Sequence, residues 1–452
     1  MRVAEALAGR VRIQSGRLVT DVSTLSEAEH RRHLRRAVLA ATVGTAIEWY
    51  DFFLYSTVTG LVFAPLFFPH ADHLTGTLEA FGVYAVGFAA RPIGAAIFGH
   101  YGDRLGRKAA LIATLLLMGV ATFLVAFVPT YARIGIWGTV TLTVLRFIQG
   151  IGVGGEWGGS VLLAMEWART NQHRGYIASW PQFGVPAGLF LANLAVLVFS
   201  GVSGSHFLEW GWRIPFLLSG VLIGVGMYIR LGILETPVFA RLAADRRVER
   251  APVVEAIRRQ PREIILTALC RMGEQAPFYI SSAFVFAYGT GTLHMNRDFL
   301  LKALLSGTVI SLVMMPLAGH LSDRFGRKRI YMLGAALTGL YGFAYFGLLD
   351  TRAPALVFLA IALSLLPHDF MYGPQAALIA ESFSARVRYS GASLGYQLSS
   401  VIAGGPAPLV ATWLLARYHS GTAIATFIAV CAVVSLVSTS LLRDYTNRDA
   451  AA

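Results

Sequence analysis

Apolar runs of roughly 20 to 28 residues, parted by short polar breaks, follow one another from about residue 37 to residue 442. A helix needs roughly 20 residues to cross the hydrocarbon core of a bilayer. About twelve runs meet that length, starting near residues 37, 80, 109, 134, 175, 212, 264, 301, 329, 354, 390 and 421. The pattern predicts an all-α polytopic membrane protein, with the lipid bilayer as its surrounding partner.

The polar breaks fall into two alternating sets. One is rich in arginine: Arg31, Arg32, Arg35 and Arg36 before the first run, then Arg104, Arg107 and Lys108, Arg169 and Arg174, a stretch from Arg241 to Arg262, Arg324 to Arg329, and Arg386 with Arg388. The other set, which includes "FFPHADHLTGTLEA" and "GVSGSHFLEW", is poorer in Lys and Arg, with exceptions at Arg133, Arg297, Lys302, Arg352 and Arg417. Positive charge collects on cytoplasmic loops, so both termini and the long central break are expected in the cytoplasm. Residues 1 to 36 are polar and basic, without the apolar core of a cleavable signal.

The two halves echo each other. "GHYGDRLGRK" begins at Gly99 and "GHLSDRFGRK" at Gly319, each after the second run of its half; "RGYIAS" at Arg174 is echoed by "RYSGAS" at Arg388, each leading into a fifth run. A duplicated six-helix unit follows. The expected division is a cytoplasmic segment 1–36, a first bundle 37–234, a cytoplasmic central loop 235–262, a second bundle 263–443 and a cytoplasmic tail 444–452. The basic, amphipathic central loop reads as a solvated linker resting on the inner headgroups.

Composition agrees with this picture and narrows the function. Of 452 residues 55% are hydrophobic and only 14% charged, with a mean hydropathy of +0.59. The net charge of +13 sits in loops beside apolar runs, which points to membrane topology and not to nucleic acid. Cys270 and Cys431 lie within apolar runs, so no disulfide framework is implied. No GxxxxGK[ST], HExxH or paired CxxC run is present, so neither nucleotide hydrolysis, a metal nor another cofactor is expected, and the chain does not read as an enzyme.

"EWYDFFLY", "ARPIGAAIFGHYGDRLGRK", "RFIQGIGVGGEWGG", "GWRIPFLLS" and "ETPVF" occur in that order. With the paired Gly-x-x-x-Asp-Arg-x-Gly-Arg-Lys breaks they resemble the major facilitator superfamily. Within it they are most similar to the metabolite:proton symporters, which include bacterial carriers for shikimate, 2-oxoglutarate, citrate, and proline or betaine. "MYGPQAALIAESFSARVRYSGASLGYQ" is closest to the shikimate-type branch. The resemblance implies twelve transmembrane helices in two pseudo-symmetric six-helix bundles, a substrate site near the midplane between them, alternating access, and residence in the bacterial inner membrane. One bundle pair holds every part required, so a monomer is expected.

The paired breaks are the expected gates. Gly99 and Gly106, like Gly319 and Gly326, permit a tight turn and close helix approach. Asp103 and Asp323 can pair across to the other half or to a helix amino terminus. Arg104, Arg107 and Lys108, repeated as Arg324, Arg327 and Lys328, either anchor the loop at the interface or complete a latch that the resemblance implies closes the cytoplasmic side.

Ionisable groups inside apolar runs are functional candidates because burying them costs several kcal/mol. Glu48 and Asp51 stand at i and i+3, on one face of the first span, with Tyr55 a turn further on. Two such acids favour protonation of at least one, as a proton carrier needs; the alternative is that each pairs with an intramembrane arginine. Arg91, beside Pro92 and Gly94, is suited to fork onto a substrate carboxylate or to serve as an internal partner of Glu48 or Asp51. In the fourth span Arg146, Gln149 and Glu156 lie among glycines; the resemblance implies that Arg146 couples proton movement to the conformational change, with Glu156 its partner or a second proton site. In the second half Arg271 and Glu274 either neutralise each other or meet substrate; His368, Asp369 and Tyr372 fall between Pro367 and Pro374, with Gln375 just after, on a helix expected to be broken, where His368 either pairs with Asp369 or serves substrate or a proton; and Gln182, Tyr396 and Gln397 can hydrogen-bond a polar substrate.

The functional expectation is a proton-coupled carrier that imports a small polar metabolite, most plausibly an organic acid, with protons and that metabolite as partners. The fifth span lacks the glycine-proline pattern that the resemblance associates with drug:proton antiporters. The rivals are a proton-independent facilitator or exchanger, and a non-transporting membrane sensor, which usually carries a larger soluble tail.

Overall fold

The computed structural model describes residues 26–69, 73–168, 173–236, 239–240 and 251–446. The segment 1–25, Arg169, residues 241–250 of the central loop and residues 447–452 of the tail therefore lie outside the described residues. The first span, α1 (Glu27–Val58), starts at a capping box: Ser26 Oγ accepts from Glu29 N at 3.3 Å and the Glu29 carboxylate accepts from Ser26 N at 3.1 Å. It is followed by α2 (His73–Leu105), α3 (Arg107–Val125), α4 (Ile136–Met165), α5 (Arg174–Ser203) and α6 (Arg213–Leu231).

The second half departs from expectation at its start. The run expected to begin at residue 264 as one span is segmented: α7 (Pro261–Cys270) and α8 (Met272–Tyr279) meet at Arg271, and a π-turn over Ile280–Phe284 follows. Gly273 and Pro277 both weaken helix there, and Gly273 N–H donates instead to Ser435 Oγ at 2.6 Å. Then come α9 (Arg297–Phe325), α10 (Arg327–Asp350), α11 (Pro354–Leu363), α12 (Leu366–Glu381), α13 (Arg388–Ser399), α14 (Pro406–Tyr418) and α15 (Gly421–Leu441). Among the described residues eleven helical stretches are long and apolar enough to cross a membrane, and the segmented α7–α8 region occupies the place of the remaining expected span. The break expected between Pro367 and Pro374 falls earlier, at Ser364 and Leu365; α12 runs unbroken through Pro374. Pro367 sits in the first turn of α12, where its missing N–H costs nothing.

In the first bundle α1 packs on α5, α2 on α4, and α3 on α4 and α6; in the second, α10 packs on α12 and α15, and α9 on α12. The seam between them is made by α5 against α9 and α12, and by α2 against α13. One aromatic-rich core crosses this seam, joining Phe52, Phe53, Tyr84 and Phe88 to Phe278, Tyr279, Tyr372 and Tyr396. Large apolar side chains such as Val221, Tyr228, Val313, Leu340 and Val437 point outward, the surface expected of a lipid-facing rim.

Both motif turns, the start of α1 and the ends of α6 and α15 share one end of the molecule. His30 Nε2 meets Trp167 O at 2.9 Å. Lys108 Nζ donates to Leu231 O and Ile233 O at 2.9 and 2.7 Å, and Lys328 Nζ to Ser440 O and Leu442 O at 2.6 and 2.9 Å. Each motif turn is a single residue, Gly106 at φ 111° and Gly326 at φ 98°, conformations that a side chain would strain.

Candidate functional site

At the motif end the two halves are joined by matched contacts. Asp103 Oδ2 accepts from Ser390 N at 3.0 Å and Ser390 Oγ at 2.8 Å, at the start of α13. Asp323 accepts from Gly175 N and Tyr176 N, each at 2.8 Å, at the start of α5. Each carboxylate thus crosses the seam to the amino end of a helix, where backbone N–H groups and the helix dipole favour negative charge. Arg107 braces Asp103 at 3.3 Å and Glu166 at 3.6 Å. Arg327 repeats this with Asp323 at 3.5 Å and with Glu381. Gly99 and Gly319 allow the approach: a Cβ at Gly99 would lie 3.0 Å from Ser390 Cα, and one at Gly319 would lie 2.5 Å from Ser179 Cβ. Arg104 and Arg324 stand outside the latch on the exposed face, against His100 and Phe325. Glu235 caps α3 by accepting from Arg107 N at 3.1 Å and Lys108 N at 3.2 Å; burial pushes its carboxyl up while those N–H groups and Arg107 hold it down.

Inside the first bundle the charges sort into two groups. Glu48 and Glu156 share Arg230, whose Nη2 lies 3.0 Å from Glu48 Oε1 and 3.2 Å from Glu156 Oε1. Thr45 and Ser160 also donate to Glu156. Glu156 is therefore not the partner of Arg146. Although Asp51 stands one turn from Glu48, its carboxylate turns to hydroxyls: Ser219 Oγ donates at 2.5 Å, with Thr122 beside it. Among the described residues Asp51 makes no ion pair, and it is 1% exposed. The expected alternative of an arginine for each acid holds for Glu48 and fails for Asp51.

Arg91 and Arg146 are both wholly buried, and among the described residues neither reaches a carboxylate. The Arg91 guanidinium lies 4.3 Å from the Phe52 ring centroid and 4.2 Å from that of Phe88. Its Nη1 donates to Ser400 Oγ across the seam at 3.3 Å, and the Tyr279 hydroxyl lies beside it. Arg146 sits 4.4 Å from the same Phe52 ring, 4.3 Å from Tyr55 and 4.7 Å from Tyr84. Its Nη1 reaches Gln149 Oε1 at 3.3 Å, and Gln149 Nε2 donates to Thr122 Oγ1 at 2.8 Å. A polar chain thereby runs from Arg146 through Gln149 and Thr122 to Asp51. In both arginines Nε and Nη2 lack hydrogen-bond partners among the described residues. Those two atoms form one edge of the guanidinium fork, the edge that grips a carboxylate with two parallel bonds.

Gln182, Tyr372, Tyr396 and Gln397 come together at the seam. Trp157 stacks on Tyr396 with centroids 3.8 Å apart and donates from Nε1 to Gln182 Oε1 at 2.8 Å; Gln182 Nε2 donates to Tyr372 O at 3.2 Å. The Tyr372 and Tyr396 hydroxyls meet at 2.7 Å, and Gln397 Nε2 donates to Val153 O at 3.3 Å. A small cavity here is lined by Glu48, Trp49, Glu156, Trp157, Tyr396 and Gln397. The remaining second-half candidates gather against one another: Arg271 Nη2 pairs with Glu274 Oε2 at 3.0 Å, and His368 lies 3.3 Å from Glu274 and 3.4 Å from Asp369. Tyr55 and Gln149 join Arg146 instead of the second-half group.

Sequence reasoning missed Arg230, Glu166, Glu381 and Glu235. Arg230 stands at the end of an apolar run, and spacing along the chain does not link it to Glu48 or Glu156. Glu166 and Glu381 occupy matching places before the fifth span of each half, a third echo that alignment of the halves exposes.

The chain matches the model of the Major Facilitator Superfamily over residues 41–404 and again over 300–450. It is 37% identical over 415 residues to the inner membrane metabolite transport protein YhjE of Escherichia coli, covering 90% of this chain and 94% of that one. It is 38% identical over 421 residues to the shikimate transporter of the same organism, covering 91% and 94%. Its fold matches the proton:xylose symporter XylE bound to 6-bromo-6-deoxy-D-glucose with a TM-score of 0.76, at 18% identity, covering 93% of this chain and 98% of that one. The duplicated latch, the helical bundles and these likenesses lead to one conclusion: the chain belongs to the Major Facilitator Superfamily, in its metabolite-transporter branch, and is a multi-pass membrane transporter, not an enzyme.

Proposed function

We propose that this protein is a proton-coupled importer of a small organic acid in the bacterial inner membrane. It works as a monomer, with its motif end and both termini in the cytoplasm. The observation that carries the proposal is unmet charge in the first bundle: among the described residues Arg91 and Arg146 each present a free fork edge with no acid, while Asp51 is buried with no cation. An uncompensated buried charge costs several kcal/mol, so each implies a ligand that comes and goes. A substrate carboxylate answers Arg91, and a proton answers Asp51.

The seam group formed by Gln182, Tyr372, Tyr396 and Gln397 supplies hydrogen bonds to hydroxyl or keto groups of the same substrate. A proton on Asp51 changes the charge seen by Arg146 through Thr122 and Gln149, which links proton binding to the box of rings around Phe52. Substrate binds from the side opposite the latch, the halves rock about the seam, and substrate and proton leave where the latch opens. Importing a proton with an anion cancels the charge that the inside-negative potential opposes, worth roughly 2.3 kcal/mol per elementary charge per 100 mV.

The test is uptake into vesicles under an imposed pH gradient, with shikimate, 2-oxoglutarate, citrate, proline and betaine as competitors. At least one carboxylate should compete, and a protonophore should abolish accumulation. Asp51→Asn should lose gradient-driven accumulation while retaining exchange. A facilitator would keep net flux in that variant, and the absence of any competition or protonophore effect would withdraw the proposal.

A further inference from the structure

We propose that Glu274, His368 and Asp369 form a second proton-holding site, apart from Asp51, which exchanges its proton with water in a side cavity between α8, α10, α12 and α15. The inference rests on the symport reading above and adds a second proton to it.

The cluster cannot be satisfied without an extra proton. His368 Nε2 faces Glu274 Oε1 at 3.3 Å and its Nδ1 faces Asp369 Oδ1 at 3.4 Å. A neutral imidazole has one N–H and one lone pair, so one ring nitrogen would point a lone pair at a carboxylate oxygen. One further proton removes the conflict, either on the ring or on one of the two acids, which titrate together as a unit. Charge gives the same result. Among the described residues Arg271 is the one cation that pairs with the cluster, through Glu274. With neutral His368 and both acids ionised, these four groups sum to one negative charge in a buried place; with the proton added they sum to zero.

Apart from Arg271, the described groups facing the cluster are neutral, Gln275 among them, whose Nε2 lies 3.4 and 3.5 Å from the two Glu274 oxygens. Ser311, from α9, reaches both Asp369 oxygens at 2.8 and 2.7 Å. Gln375 holds Glu274 Oε2 and Tyr331 of α10, each at 3.3 Å. Tyr372 stacks on His368, and Tyr341 and Tyr345 of α10 share its cavity, to which α15 presents only Ile428. None of these supplies a second cation.

The cavity gives the proton its route. Glu274, His368, Ser281, Thr338, Tyr341 and Tyr345 all line it. Tyr345 lines the cavity too, and its buried hydroxyl has no hydrogen-bond partner among the described residues. No residue lining this cavity lines the cavity at the seam, so the proton need not share the substrate's path. The two sites still communicate. Arg271 lies 3.2 Å from the Tyr396 ring centroid, and Tyr396 stacks on Trp157 of the first bundle. Gain or loss of the proton changes the pull on Arg271 and hence on a side chain at the seam.

Proton uptake by the purified full-length protein in unbuffered detergent solution, followed with pyranine between about pH 9 and pH 5, tests this directly. Asp369→Asn and, independently, Glu274→Gln each leave Arg271, one carboxylate and a neutral imidazole, a set already balanced. Each variant should take up one proton fewer than the wild type, and Ser281→Phe, which fills the cavity, should slow that uptake without changing the final count. Unchanged counts in both charge variants, with gel-filtration profiles like the wild type, overturn the second site; an unchanged rate in Ser281→Phe overturns the route. Asp51→Asn in the same assay separates the two proposals: loss of a proton there but not at Asp369 or Glu274 leaves the symport reading standing and removes this one. Loss at the cluster with none at Asp51 does the reverse for the coupling acid.

Discussion

At the scale of single residues, similar charges meet different fates according to what the neighbouring helices offer. Arg230 and Arg91 are both buried arginines, yet Arg230 is held between two glutamates and Arg91 between rings. The first is a structural cation. Arg230→Met leaves Glu48 and Glu156 buried without their counter-charge and should destabilise the protein by about 3 to 5 kcal/mol, seen as a lower melting temperature in detergent. Adding Glu48→Gln to that variant should recover part of the loss, since one of the stranded charges is removed. On the proposed reading Arg91 is a receptor cation, and its value lies in the fork. Arg91→Lys keeps the charge but has no paired Nε and Nη edge, so competition by carboxylates in the uptake assay should weaken by roughly 30-fold, the equivalent of about 2 kcal/mol for charge-assisted hydrogen bonds. Wild-type competition in the lysine variant would show that Arg91 contributes charge alone.

At the scale of elements, the two motif turns offer a controlled comparison. Gly106 and Gly326 both take positive φ, yet a Cβ at Gly106 would run into the Glu235 carboxylate, whereas at Gly326 the nearest heavy atom is 3.8 Å away. Gly326→Ala should therefore cost only the backbone strain, about 1 to 3 kcal/mol. Gly106→Ala should cost that plus displacement of the cap on α3, roughly a further 1.5 to 3 kcal/mol, and should melt at the lower temperature. Equal melting temperatures would mean that Glu235 does not hold α3. The turns, the duplication and the long helices were all legible in the chain because each leaves a local mark: a run of apolar residues, a glycine at a fixed offset, a repeated string. The segmented start of the second bundle was less legible, since Arg271 lies inside an unbroken apolar run and only Gly273 and Pro277 hint at the break. Pairing was legible least of all. Glu48 and Asp51 share a helix face by periodicity, but whether a carboxylate meets Arg230 or Ser219 depends on how α6 is set against α1, and spacing along one chain segment does not contain that.

At the scale of the whole molecule, the hydrogen bonds across the seam act as one equilibrium. Asp103 to Ser390, Asp323 to Gly175 and Tyr176, Tyr389 to Gly155 and Gln182 to Tyr372 all join one bundle to the other, and if the bundles rock as rigid bodies the latch contacts must break together. Weakening any one should favour the state open at the motif end, however far it lies from the substrate. Asp103→Asn and Asp323→Asn each keep the side-chain shape and remove the charge that makes the latch bonds strong. A loss of about 1 to 3 kcal/mol apiece should shift the population roughly 5- to 150-fold. The shift can be read with Ser179→Cys, a position buried beneath Gly319, as faster labelling by an impermeant maleimide applied from the motif side. Because the two aspartates lie in different contacts but report on one equilibrium, their free energies should add in the double variant until labelling saturates. Apparent affinity for substrate offered from the opposite side should fall in proportion to the fraction still closed at the latch, a loss that becomes measurable once the open state is a sizeable share of the population. Labelling driven to saturation in the double variant with no loss of affinity would mean that the latch frays locally while the bundles stay put, and rocking about the seam would have to be abandoned.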